Sequence, residues 1–361
     1  MKNHDKEIFF TASLMKWHIK YNKREMPWKG EKDPYKIWLS EIILQQTRVE
    51  QGLQYYNRFI QHYPNVFALA AAPDNEVFKL WEGLGYYNRC KNLLFTARFV
   101  SEELGGEFPK SFEGLLALKG VGNYTASAVA SFAYNLPHAV VDGNVNRVLA
   151  RYFGLATPID SAAGKLLFAQ LATDLLDTKK SAQYNQAIMD FGATICKPQL
   201  PICESCLLQD NCSAYQQDRV LQLPVKEKKI AKIHRWFYYI LAEKNNAYLV
   251  RKRTGKDIWQ SLHEFGLIEA NNHADTEAIL KSALFKEMGG NKFELLGVSA
   301  VYKQQLTHQT IHAIFIRIKT RHSKLPEGMQ LIAKHDLHKL AFPRLINLYL
   351  HQESILEAVP V

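Results

Sequence analysis

Two carboxylates stand in surroundings that disfavour charge. Glu41 lies within Trp38-Leu39-Ser40-Glu41-Ile42-Ile43-Leu44, and Asp142 within Val140-Val141-Asp142-Gly143-Asn144-Val145. Charged side chains are rare in such apolar runs. A Glu on a half-buried helix face has its pKa raised, which suits a proton donor. Asp142 also reads as the N-cap of a helical pattern running from Asn144 to Tyr152. One carboxylic acid plus one carboxylate is the minimum set for breaking a glycosidic bond through an oxocarbenium-like state. Sequence spacing alone does not bring the two together.

A second group is cysteine. Of five in the chain, four follow the pattern Cys196-x6-Cys203-x2-Cys206-x5-Cys212. Four thiolates this close in sequence converge on one centre with little loss of chain entropy. Zinc is the generic reading and an iron–sulfur cluster the other. The spacing contains only one CxxC and is asymmetric, which fits a loop wrapped around a cube-like cluster. A secreted disulfide framework would be denser and more even, so the group points to a reducing compartment. Cys90, in an apolar helical context, reads as an ordinary buried thiol.

A third group is Leu118-Lys119-Gly120-Val121-Gly122-Asn123-Tyr124-Thr125. Glycines two apart allow a tight turn between helices and let a phosphate approach the backbone. The following helix N-terminus favours an anion. A bare GxG is usually only a turn. Between two helical segments this longer sequence predicts a helix-hairpin-helix that grips DNA backbone through Gly120, Val121, Gly122 and Thr125 without reading bases.

The elements that must position these groups divide the chain in two. Its 361 residues exceed one typical domain, and 47% hydrophobic against 22% charged residues is a globular balance. From Ile8 to about Leu208 apolar residues recur at threes and fours, as in Tyr55-Tyr56-Phe59-Ile60 and Leu93-Leu94-Ala97-Val100. The small-residue run Thr125 to Ser131 suits a closely packed helix. No period-2 strand is expected before residue 215. Residues 216–232, with Pro224 and Lys226-Glu227-Lys228-Lys229, read as a linker. Beyond it, Trp236 to Leu241 and Ala247 to Val250 read as strands joined by an Asn-Asn turn, Ile311 to Ile318 as a further strand, and Ala274 to Met288 as one helix. The expected architecture is a mainly α domain over 1–215, with the cysteine loop at 196–212, and a smaller α+β domain over 233–361. A net charge of +10 favours a polyanionic partner. No apolar run approaches the roughly 18 residues that a membrane span needs, and no secretory signal is evident.

The hairpin, the Asp-Gly-Asn segment and the cysteine spacing together resemble the helix-hairpin-helix DNA glycosylases that carry an iron–sulfur loop, a group that includes the endonuclease III and MutY branches. Lyase-type members have a catalytic Lys immediately before the Thr of the second hairpin helix. Here that position is Tyr124, and Lys119 does not match it, so the chain resembles the monofunctional MutY-type adenine glycosylases. The resemblance implies a [4Fe-4S] cluster held by the four cysteines. It implies Glu41 as the acid that protonates adenine at N7, Asp142 as the carboxylate facing the cationic sugar, and Tyr124 and Asn144 as their hydrogen-bonding support. It places Arg24, Trp28, Leu44 and Gln186 in an adenine pocket, with Lys29 where the family often has Arg. Gln46, Leu84 and Tyr86 would probe or wedge the duplex as a base flips out, although core packing is the plainer reading of Leu84 and Tyr86.

The resemblance extends to a Nudix-like C-terminal domain, with Arg253 to Gln260 as its Gly-to-Trp loop. Only Glu277 and Glu287 stand where a hydrolytic Nudix enzyme needs a Glu-rich helix, so recognition without pyrophosphatase activity is expected. Leu306-Thr307-His308 matches the family's Phe-Ser-His, with Leu for Phe. Thr307 and His308 would contact 8-oxoguanine, although His308 also reads as a strand-turn residue. The implied partner is double-stranded DNA with adenine opposite 8-oxoguanine or guanine, bound by a monomer in the bacterial cytoplasm, with no membrane involved. An endonuclease III-like lyase and a non-catalytic, cluster-bearing DNA sensor are the competing readings.

Overall fold

The computed structural model describes residues 3–227, 232–290, 292–322 and 325–356. The chain forms two compact units. One comprises Met1–Ala71 with Asn92–Lys228, the other Ala72–Lys91 with Lys229–Val361. The boundary near residue 228 falls within the expected 216–232 linker, but the part before it is packed: Leu223 is part of the helical core, and Val220 and Val225 pack against it. Arg151 donates to the Leu223 carbonyl. Much of the expected linker is therefore structure; 228–231 lie outside the described residues. The second difference is larger: residues 72–91, read as part of the helical domain, belong to the C-terminal unit. Lys79 donates to the Leu340 carbonyl, and Glu82 accepts the Phe342 N–H.

In the first unit every described element is helical. The Pro34–Leu44 helix starts where Asp33 accepts the Tyr35 N–H at 2.9 Å, with Pro34 in the first turn. It is then buried all round from Ile37 to Ile43. The Asn123–Tyr134 helix is likewise buried continuously from Thr125 to Ser131, because Ala and Ser let neighbouring backbones come close. It packs on Pro34–Leu44 and on the Ser181–Thr194 helix. A separate layer buries Phe10, Leu14 and Trp17 of the Asn3–Tyr21 helix against Val148, Tyr152 and Phe191.

The second unit is built on a mixed sheet of eight strands: β1 (Ile233–Lys244), β2 (Ala247–Lys252), β3 (His263–Glu264), β4 (Gly266–Ala270), β5 (Phe293–Val298), β6 (Tyr302–Gln305), β7 (Gln309–Thr320) and β8 (Gln330–Ala333). The main path runs β3-β2-β1-β7-β5. Among the described residues only β1 and β7 pair in parallel, in register from Ile233↔Gln309 to Glu243↔Lys319. Their centres are buried on both faces, hence the near-continuous apolar run of each. Tyr238, Ile240 and Ala242 of β1 with Ile314, Ile316 and Ile318 of β7 face one helical layer, and Phe315 on the other face stacks on Tyr349. Asn245 and Asn246 form the β1–β2 turn with φ of 51° and 60°, a left-handed backbone that Asn tolerates best after Gly. The single helix expected over 274–288 is two, Thr276–Leu280 and Ala283–Gly289. Ser282 caps the second by accepting the Phe285 N–H.

Candidate active site

In the first unit a cleft of about 580 Å³ is lined by Glu41, Tyr124, Asp142 and Asn144, together with Arg24, Trp28, Leu44 and Gln186. All eight residues were singled out in the sequence, and they come from five separate segments of it. Glu41 is 6% exposed, against the exposed position that a helical Glu ordinarily takes. Burial is the main cause that pushes its carboxyl up to about 7. Asp142 adds to the rise, and a hydrogen bond with the Tyr124 hydroxyl opposes it. Near neutral pH this carboxyl therefore carries a proton in a large fraction of molecules.

Asp142 plays both roles that its position suggested. It caps the Gly143–Phe153 helix by accepting the Val145 N–H at 2.7 Å, while its other oxygen accepts from the Asn144 amide at 2.6 Å. Burial raises its pKa, and these hydrogen bonds with the nearby Arg147 favour the anion against that rise. The preceding segment is held by the buried Asn185, whose side chain accepts from the Val140 N–H and donates to Ser131 Oγ and the His138 carbonyl. Arg147 ties Asn144 Oδ1 (2.8 Å) to the carbonyls of Gly192 and Cys196.

Two residues of the cleft wall, Arg24 and Lys29, are held by a buried group that the sequence did not reveal. Asp190 is 0% exposed. It accepts from Arg24 at 2.8 Å and from Asn22 at 2.8 Å, and Lys29 lies 3.1 Å away. Asn22 also touches His18, whose pKa is lowered by burial and then by Lys29. An acidic residue between Ile188-Met189 and Phe191 was the available signal. Arg24 is thus an ion-pair partner of Asp190 at the cleft wall, and Lys29 shares that role.

The hairpin splits into inward and outward positions. Gly120 has φ +80°, and a Cβ there would come 2.7 Å from Asn92 Cβ. Gly122 caps the second helix in an extended conformation, and a Cβ there would meet nothing within 4 Å. Both are exposed. The side chains of Val121 and Thr125 point inward instead. Thr125 is 1% exposed, and its hydroxyl accepts from Gln45 at 3.1 Å. The Thr125 side chain is thus engaged within the unit, beside the end of the Glu41 helix.

The four clustered cysteines are free and partly buried. Burial pushes the Cys206 thiol up to about 12, with Cys196, Cys203 and Cys212 all within electrostatic reach. Arg151 points at the same loop, donating to the Lys197 and Pro198 carbonyls and lying 3.4 Å from Cys196 Sγ. Among the described residues, no three His, Cys, Asp or Glu donors converge tightly enough for a single metal ion. Cys90 is buried, as expected.

A second cavity, of about 500 Å³, lies wholly within the second unit. It brings together Leu84, Tyr86, Trp259, Thr307 and His308. Tyr86 is 44% exposed, and its hydroxyl is hydrogen-bonded to Thr307 Oγ1. Leu84 is 6% exposed and so is packed in this structure. Thr307 and His308 are exposed in the turn between β6 and β7, so His308 is a strand-turn residue as well as a cavity residue. The Trp259 loop is braced by Asp257, which pairs with Arg235 and Arg253. Gln46 is exposed with φ +56° and lines neither cavity.

Comparison with known proteins places these features in a class. Residues 39–167 match the HhH-GPD superfamily of base excision DNA repair proteins, and residues 237–352 match the NUDIX domain. A thermostable thymine-DNA glycosylase shares the fold of the first part, with a TM-score of 0.55 and 31% identity, over 60% of this chain and 100% of that one. The chain is 34% identical over 310 residues to the adenine DNA glycosylase of Buchnera aphidicola subsp. Baizongia pistaciae, covering 84% of each. It is 41% identical over 224 residues to that of Homo sapiens, covering 59% of this chain and 41% of the human one. Fold and site thus define a helix-hairpin-helix base excision repair protein with an appended Nudix-like domain. Within that class, the chain belongs to the adenine DNA glycosylase family.

Proposed function

We propose that this chain is a monofunctional DNA glycosylase that hydrolyses the N-glycosidic bond of adenine paired with 8-oxoguanine or guanine in double-stranded DNA. The observation that carries this reading is a protonatable Glu41, bonded to Tyr124, sharing one cleft with the capped carboxylate Asp142. In this reading Glu41 gives its proton to the adenine leaving group, which lowers the cost of expelling it. Asp142 faces the positive charge that develops on the sugar, and the Asn144 amide with the Val145 N–H favours its anion against the effect of burial. Tyr124 holds Glu41 and supplies no amine, so no Schiff base forms at that position. The cleft size suits one extruded base, with Arg24, Trp28, Leu44 and Gln186 as its walls.

Gly120 and Gly122 offer backbone to phosphate, and the excess positive charge supplies salt-dependent attraction. Thr307 and His308 would read 8-oxoguanine in the second cavity, with Gln46, Leu84 and Tyr86 at the duplex. Leu84 would have to leave its packing to act as a wedge. The cysteine loop offers four soft thiolates, which suit a [4Fe-4S] cluster or zinc, and the asymmetric spacing with a single CxxC favours the cluster. Cys196, Cys203, Cys206 and Cys212 would hold it, and when bound it would cross-link the loop. No described helix is long and apolar enough to cross a membrane; we place the protein in the bacterial cytoplasm as a monomer.

The test is single-turnover excision from duplexes bearing adenine opposite 8-oxoguanine, guanine or thymine, with borohydride added in parallel. Release of adenine opposite 8-oxoguanine and guanine, with no trapped adduct, is expected. Intact adenine in those duplexes overturns the assignment, and a borohydride adduct overturns its monofunctional part. A broad visible absorption band in fresh protein is expected from the cluster, and a colourless, zinc-containing protein would overturn that assignment.

A further inference from the structure

The layer that covers one face of the β1–β7 pair stops short of its N-terminal end, and two histidines occupy the uncovered corner. His234 and Trp236 of β1 continue the face of Tyr238 and Ile240, and His312 of β7 is the register partner of Trp236. His234 Nδ1 and His312 Nε2 stand 3.0 Å apart. The two rings lie at 24° to each other with centroids 5.3 Å apart, so they meet edge to edge through these nitrogens. Trp236 stacks on His312 at 4.6 Å and 16°, and His273 meets Trp236 edge-on at 4.7 Å. The indole thus fixes the plane of one imidazole, and the backbone register fixes its distance from the other.

A contact between two ring nitrogens admits one proton at most, so at least one of the pair presents a bare lone pair. Burial, His234 and then Lys303 lower the pKa of His312. A tetrahedral Zn²⁺ with bonds of about 2.0–2.1 Å places adjacent ligand atoms about 3.3 Å apart. The observed 3.0 Å must widen by about 0.3 Å, and each ring must turn by about 35° for the two lone pairs to converge on the ion. Among the described residues no third His, Cys, Asp or Glu completes the set, so water would fill the remaining positions.

We propose that His234 and His312 form a two-imidazole chelate for Zn²⁺ on the solvent-facing end of the β1–β7 pair. The ion takes the place of the proton between the two nitrogens, which moves to the other nitrogen of the same ring, so that both imidazoles bind in neutral form. Lys303 disfavours it slightly, but this ammonium is exposed and screened. The site is separate from the cysteine loop and from both cavities.

The experiment is calorimetric titration of ZnCl₂ into the full-length, cluster-loaded protein at pH 7.5, with His234→Gln, His312→Gln and the control His351→Gln, each checked for folding by circular dichroism. Loss of an outer-sphere partner already weakens metal binding by about 10- to 100-fold. Loss of either direct ligand is therefore expected to weaken this site by about 100-fold or more. The parent and His351→Gln should retain the site, and each of the other two variants should lose it. Zinc anomalous scattering between the two rings in soaked crystals is the independent expectation. Equal binding by all four proteins, loss in only one of the two ligand variants, or no anomalous peak there overturns the proposal.

Discussion

Replacing Glu41 by Gln should impair the reaction and stabilise the protein, and the stabilisation should depend on pH. Burial raises the Glu41 carboxyl from its ordinary value of 4.5 to about 7. Between those values the folded protein binds more protons at this site than the unfolded chain does. Stability therefore falls as pH rises through the interval and levels off above about 7. At about 1.4 kcal/mol per pH unit the loss amounts to about 3 kcal/mol. Gln cannot ionise, keeps the volume, and can still meet the Tyr124 hydroxyl. Relative to the parent, the variant should thus gain up to about 3 kcal/mol between pH 5 and pH 8, with little difference at the acidic end. Denaturant midpoints of both proteins at four pH values measure the gain. Single-turnover excision measures the other half: loss of a general acid should slow it by about 10²–10⁴-fold, and in the parent the rate should fall about tenfold per pH unit above 7. A stability difference that does not vary with pH would refute the argument, because the carboxyl would then be ionised, or neutral, in both states alike.

Gly120→Ala should cost about 1–2 kcal/mol, since an L side chain must hold φ +80° and displace Asn92; Gly122→Ala should leave the melting temperature nearly unchanged and weaken duplex binding in fluorescence anisotropy. Asp142→Asn should preserve the helix cap, as Asn and Asp cap about equally, and abolish excision; a drop in stability above about 1 kcal/mol would count against the cap. Arg147→Met strands the carbonyls of Gly192 and Cys196, and should cost about 3 kcal/mol in thermal or denaturant unfolding.

Features written into short windows of sequence were legible. A charge within an apolar helix marked Glu41, the Asp-Gly-Asn segment marked the Asp142 cap, and aromatic and β-branched runs marked β1, β2 and β7. Features that depend on distant partners were not. Nothing near Lys79 or Glu82 tells that they bond to residues about 260 positions away. Leu223 sits in a polar segment and is nevertheless core, because Arg151 fixes its backbone. The Thr125 hydroxyl meets Gln45, which lies 80 positions upstream. Asp190 is intelligible only beside Arg24 and Lys29, far upstream. The 274–288 segment has helical composition throughout, but the Ser282 hydroxyl divides it by capping a second start.

The assignment of residues 72–91 to the C-terminal unit has a consequence for how this chain must be made. A ribosome emits those twenty residues early, yet their partners at Thr307, Leu340 and Phe342 arrive only near the end of synthesis. Until then the partners that hold this segment are missing. A cut near residue 228 would likewise yield no self-contained halves: the N-terminal fragment would carry an orphaned strap, and the C-terminal fragment a cavity without the wall that Leu84 and Tyr86 provide.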